Sequence, residues 1–313
     1  MFLKPFFLAF FLTLQICNKQ LNNTMNTNSN IGAIQNLNKI NNMLPYDLTK
    51  PSTIFNLDAS LHEISGLTAT DKDGQLACIQ DESGQLFYLD IQTGKSTPSV
   101  IFQNSGDFES IEFVGETLWA STSKGKLFKI WNLDKTPFDV QVFKIESLRT
   151  ANIEGLGYDK LNHRLLLASK ADKADGTLLR SIWAFDLKNE TPSVQKAFDI
   201  QLVDFQDFLK DKTEPQYAKF RRDYIQSPIT TGFEFGPSGI AVHPLTGHIY
   251  IVSSVNKVLV VLSPEGKILD MAKLDKTLFQ QPEGLCFDSK GTLYISNEAK
   301  DNPTASLLVF KMK

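Results

Sequence analysis

A short tag recurs along the chain at almost constant spacing, and each copy leads into a run of apolar residues. The copies are Glu63-Ile64-Ser65-Gly66-Leu67, Glu109-Ser110-Ile111-Glu112-Phe113, Glu154-Gly155-Leu156-Gly157-Tyr158, Ser238-Gly239-Ile240-Ala241-Val242 and Glu283-Gly284-Leu285-Cys286-Phe287. From 63 to 109 is 46 residues, from 109 to 154 is 45, from 154 to 238 is 84 and from 238 to 283 is 45. The long step equals one repeat plus an insertion. Repeats of this size, built from short β-branched and aromatic runs between glycine-containing turns, predict the blades of a β-propeller. Apolar residues make up 42% of the 313, enough for a sizeable core.

The expected fold is therefore all-β, with five blades counted. A sixth stands only if residues 201–236 hide a degenerate unit, and no tag or hairpin is visible there. The last repeat offers three strand-like runs, Gly284–Phe287, Thr292–Ser296 and Ser306–Phe310. The run from Ser52 to Leu57 would supply its missing outer strand, closing the ring and removing an exposed sheet edge. In the insertion, Phe205 and Phe208, then Tyr217, Phe220 and Tyr224, fall three or four apart as on helix faces, and Lys219, Arg221 and Arg222 add positive charge. Two readings stay open for it: a lid over one channel mouth that holds an anionic ligand, or a helical loop packed on the propeller's side.

Ahead of the repeats the composition changes twice. Lys4 followed by the Phe- and Leu-rich run Pro5–Ile16 reads as an export leader, too short for an ordinary membrane span. It ends Leu14-Gln15-Ile16-Cys17, which resembles a lipobox, so residues 1–17 predict lipid anchoring at Cys17, with a plain secretory leader as the alternative. Residues 18–47 are Asn-rich and read as a flexible tether, leaving 48–313 for the propeller. A formal net charge of −3 and the lack of a basic stripe argue against nucleic acid as a partner. Cys78 and Cys286 sit in strand-like runs and read as buried thiols, although a ring would bring the first and last blades together for a disulfide.

The set Phe108-Glu109-Ser110-Ile111-Glu112, Asn152-Ile153-Glu154-Gly155-Leu156, Pro282-Glu283-Gly284-Leu285 and Ser238-Gly239 resembles the SdiA-regulated family of bacterial envelope propellers over about residues 54–311. More distantly it is similar to NHL-repeat and gluconolactonase-like propellers. The resemblance implies an exported or membrane-associated propeller without an assigned activity, within a wider fold that includes calcium-dependent lactonases. An acid at Glu63 departs from the family pattern.

The first strand of each blade lines a propeller's channel, so Glu63, Glu109, Glu154 and Glu283 are expected to meet near one mouth. Each unpaired pair at about 4 Å would cost roughly 4 kcal/mol at an effective dielectric of 20. Raised pKa values, basic partners or a bound cation would relieve this. Oxygen donors without Cys or His select calcium first and magnesium second, with Asp81 and Asn297 adding oxygens from nearby loops. Lys170 would instead neutralise a glutamate, and backbone N–H groups of a neighbouring blade are a further candidate partner.

Whether the chain is an enzyme stays open. His62, just before a tag, is the candidate base; His163, His243 and His248 fall in hairpin turns and are expected to be solvated. No Gly-x-Ser-x-Gly elbow, phosphate loop or zinc spacing is present. The reading is an envelope-associated binding or interaction module with a calcium site at its mouth, taking an unknown small-molecule or protein ligand. The alternative is a calcium-dependent hydrolase of an ester, lactone or phosphoester.

Overall fold

A computed structural model describes residues 44–170, 178–226, 233–300 and 303–313. The leader, Cys17 and the tether as far as residue 43 lie outside the described residues. Strand β1 (Thr53–Asn56) comes first among the described strands but belongs to the last sheet. Blade one holds β2 (Ile64–Ala69), β3 (Gln75–Gln80), β4 (Ser83–Asp90) and β5 (Ser96–Gln103), and blade two β6 (Phe108–Val114), β7 (Thr117–Thr122), β8 (Lys126–Trp131) and β9 (Asp139–Lys144). Blade three is β10 (Ile153–Asp159), β11 (Arg164–Ser169), β12 (Leu179–Asp186) and β13 (Gln195–Gln201). Blade four follows with β14 (Pro237–Val242), β15 (Ile249–Ser253), β16 (Val258–Leu262) and β17 (Ile268–Lys273). Blade five has β18 (Pro282–Phe287), β19 (Leu293–Asn297) and β20 (Ser306–Phe310).

The missing fourth strand of blade five is β1, which runs antiparallel to β20 with Thr53 opposite Val309 and Asn56 opposite Ser306. The inner strands β2, β6, β10, β14 and β18 each pack against the next, and β18 returns to β2. This closes a ring of five blades. The sixth blade left open by the sequence is not formed, because the described residues of the insertion between β13 and β14 are helical.

The tag has a mechanical explanation. Inner strands of adjacent blades approach backbone to backbone, leaving no room for a side chain. A Cβ on Gly66 would lie 2.6 Å from the Ile111 nitrogen, and one on Gly239 would lie 2.5 Å from the Glu283 carbonyl oxygen. The small hydroxyls beside these glycines then stitch the blades. Ser65 Oγ donates to the Glu109 carbonyl (2.7 Å), Ser238 Oγ donates to the Pro282 carbonyl (2.6 Å), and Ser110 Oγ accepts the Leu156 N–H (3.0 Å). Serine and glycine are what fit between two backbones that must also be hydrogen-bonded.

Apolar wedges fill the space between blades. The insertion belongs to one of them: helix α1 (Leu202–Leu209), the short α2 (Ala218–Arg221) and the π-helical turn Arg222–Gln226 after it bury Phe205, Leu209, Phe220 and Tyr224 against Ile200, Ile240 and Met271, between blades three and four. The side-packed reading of this segment therefore holds. Phe205, Tyr217, Phe220 and Tyr224 are core, and Phe208 packs half-buried against them.

Two features depart from expectation. Tyr46, counted with the tether, is 4% exposed and packs on blades four and five among Tyr250 and Phe287. Its hydroxyl donates to the Gly291 carbonyl (2.6 Å) and lies 2.9 Å from His243 Nε2, while the Leu245 N–H donates to His243 Nδ1 (3.2 Å). His243, expected in a solvated turn, is buried and neutral, and burial holds its pKa down at about 4. Cys78 and Cys286 are buried free thiols, as read from the sequence, with no disulfide between them.

Candidate functional site

Every inner strand carries a β-bulge at its entry. Ile64, Phe108, Ile153, Pro237 and Pro282 pair with Gln80, Thr122, Ser169, Ser253 and Asn297, and regular pairing resumes only beyond an extra residue. The bulge therefore fixes one equivalent position in all five blades, occupied by Ser65, Glu109, Glu154, Ser238 and Glu283. A bulge re-aims a side chain: Ser65 and Ser238 turn to the backbone of the next blade, while the Glu109, Glu154 and Glu283 carboxyls lie close enough to act on one another electrostatically. Three of the four predicted glutamates hold this position.

Glu63 does not. It stands two residues before its blade's bulge, level with Asp107, Asn152, Gly236 and Gln281 in the others. The turn after each second strand adds a further level, Asp81, Ser123, Lys170, Ser254 and Glu298. Asp81 is thus matched across the ring by Glu298 rather than by Asn297. The Asn297 amide instead donates to the Leu278 carbonyl (3.2 Å) and to Ser306 Oγ (3.1 Å), inside blade five. The levels are joined by backbone hydrogen bonds, with Ser123 N to Asp107 O at 3.1 Å, Lys170 N to Asn152 O at 2.9 Å and Glu298 N to Gln281 O at 2.9 Å.

Lys170 is the cation at the centre of this arrangement. Its ammonium donates to Glu154 Oε2 (3.0 Å), and Asn152 Nδ2 donates to Glu154 Oε1 (2.8 Å). Burial alone would lower the Lys170 pKa, but Glu154, Glu283 and Glu109 together raise it. Glu283 takes a hydrogen bond from the Gln281 side chain, the counterpart of Asn152, and among the described residues forms no ion pair. Burial, with Glu154 and Glu298 adding, pushes its carboxyl up to about 8 against the pull of Lys170. Glu109 is raised as well, by burial first and then by Glu154 and Asp107.

A second acidic group lies where blade five meets blade one. Burial, Glu63 and Glu298 raise Asp81 to about 6, and Glu298 is itself raised by burial and by Glu63, with exposed His62 opposing. Asp81 Oδ1 and Asn297 Oδ1 are buried without hydrogen-bond partners. Glu298 and Asp107 were not anticipated from the sequence. Counting outward from the bulge, rather than matching tags by their glutamates, would have found both.

Among the described residues no three His, Cys, Asp or Glu side chains are placed to hold one metal ion together. Both Glu154 oxygens are already engaged. Among the described residues the mouth is a network of carboxyls around the Lys170 ammonium, with the Lys257 ammonium, which donates to the Ser254 carbonyl (2.8 Å), within electrostatic reach of Glu283.

Comparison with known proteins bears first on blade four and the inner part of blade five. Residues 235–301 match the SdiA-regulated family. The resemblance read from the tags is borne out over that segment, which includes the bulge residues Ser238 and Glu283. No curated protein sequence is detectably similar to the chain. Among solved structures, a Bacteroides thetaiotaomicron protein of unknown function is 12% identical with a TM-score of 0.48, the match covering 80% of this chain and 56% of that one. The chain thus spans little more than half of that protein's length. A calcium-binding protein, regucalcin, from Agrobacterium tumefaciens is 13% identical (TM-score 0.47; 80% and 91% covered). A PQQ-bound aldose sugar dehydrogenase from Streptomyces coelicolor is 11% identical (TM-score 0.46; 84% and 99% covered).

Proposed function

We propose that the protein is a binding module whose acidic channel mouth receives the positively charged group of a ligand, and that it works in the cell envelope after export. The observation that carries the reading is the clustering of Glu109, Glu154 and Glu283 about the Lys170 ammonium. Burial leaves two of these carboxyls protonated near neutrality, so an incoming cation can displace their protons. Calcium is the hard-ion candidate. It would have to compete with Lys170 for Glu154. Export and lipid anchoring at Cys17 are supported by the leader composition of residues 1–17.

Thermal melting in calcium chloride, magnesium chloride and spermidine, at matched ionic strength, tests the mouth. A ligand bound only by the folded state raises the midpoint by mass action. Spermidine is expected to raise it in the parent protein, and calcium to raise it more in Lys170→Met than in the parent. If no cation moves the midpoint of either protein, the reading fails. For the hydrolase alternative, the corresponding result is loss of ester or phosphoester turnover in Glu154→Gln with the fold retained.

A further inference from the structure

The channel has a second mouth, where the inner strands end, and a cavity of about 490 Å³ opens there. All five blades reach it, through Thr68, Glu112, Tyr158, Val242 and Phe287. These residues lie at the ends of β2, β6, β10, β14 and β18, opposite the bulges. The lining is mostly apolar. A largely apolar concavity with few, convergent polar groups is the usual form of a small-molecule site.

Its polar feature is Glu112. Thr68 Oγ donates to Glu112 Oε1 (2.8 Å), and the backbone N–H groups of Tyr158 and Phe113 also face the carboxyl. Among the described residues Glu112 forms no ion pair, whereas the other acid on the wall, Asp159, is neutralised by Arg164 (2.8 Å). Lys160 also lines the cavity but is exposed on its turn. A carboxyl anchored by neutral donors, deep in an apolar chamber and without a cation, is complementary to a ligand that brings its own.

The geometry points to a second binding site at this mouth, for a small apolar molecule bearing one amine, whose ammonium pairs with Glu112 while its apolar body fills the chamber. The position of the Glu112 carboxyl agrees with this. Burial pushes its pKa up to about 7, so an ammonium would gain by ionising it. The site does not depend on the acidic mouth, which lies at the other end of the inner strands.

Calorimetric binding of phenethylamine and of phenethyl alcohol, which match in shape but not in charge, tests the assignment. The amine should bind about tenfold or more tightly than the alcohol, the scale of one charge-assisted hydrogen bond in a buried site. Glu112→Gln should erase that preference. Thr246→Trp, placed on a turn residue that lines the cavity, should block both probes without touching the inner strands. Loss of the preference in Glu112→Gln separates this site from the acidic mouth, because Glu112 lies at the opposite end of the inner strands. Equal binding of the two probes, no binding of the amine, or full amine affinity in Thr246→Trp would overturn the assignment.

Discussion

The Lys170 ammonium sits 3.0 Å from Glu154 Oε2 and is the cation that Glu283 and Glu109 also feel. Removing one partner of a mostly buried pair leaves the other charge uncompensated. Lys170→Met is therefore expected to destabilise the protein by about 2–3 kcal/mol, and Lys170→Met combined with Glu154→Gln by less than Lys170→Met alone, because no charge is then left unpaired. Urea denaturation of the two variants measures this. Equal losses in both would show that the lysine contributes packing alone.

Stability should fall as the solution becomes more alkaline. An unfolded Glu283 loses its proton near 4.5, whereas the folded one keeps it until about 8. Between those values the folded state holds more protons, so each unit of rising pH costs at most about 1.4 kcal/mol per such group. Glu109 acts in the same direction. Melting midpoints from pH 5 to 8.5 should decline, and Glu283→Gln should flatten the decline. A flat profile in the parent protein would contradict the raised carboxyl.

Glycines should be intolerant where blades touch and tolerant in open turns. Gly239→Ala puts a methyl 2.5 Å from the Glu283 carbonyl oxygen and should cost about 3 kcal/mol or more by forcing blades four and five apart. Gly115, at φ +60 in a turn, has open space for at least 4 Å around the place where a methyl would stand. Alanine there should cost only about 1 kcal/mol, the penalty of the left-handed backbone. Denaturant midpoints of the two variants give the comparison.

Tyr46→Phe isolates the hydroxyl that joins the segment before β1 to blades four and five. The change leaves His243 Nε2 and the Gly291 carbonyl without this partner in a buried place. A loss of about 1–3 kcal/mol is expected in equilibrium unfolding. No measurable loss would mean that water replaces the hydroxyl.

Repeat length, the number of blades and the use of the N-terminal strand are legible in the sequence because local signals carry them: tags, turns and a short final repeat. The acidic mouth is legible in kind, but its register is not. Matching copies by their glutamates aligns Glu63 with Glu109, although the bulge aligns Ser65 with it. Ending the second strand of blade five at Ser296, one residue short, selects Asn297 in place of its neighbour Glu298. His243 looks like a solvated turn residue because its burial comes from Tyr46, nearly two hundred residues away in sequence, and no local pattern announces that contact. Lys170 is visible as a candidate neutraliser, but its dominance over three glutamates needs the folded ring.

The pairing of Thr53–Asn56 with Ser306–Phe310 has a consequence for assembly. Until those two segments meet, β20 presents a bare hydrogen-bonding edge and β1 is an unclaimed donor strand. The identical ladder would form if β1 of one copy completed the ring of another, so crowded refolding should favour strand-exchanged pairs, while dilution favours self-closed rings.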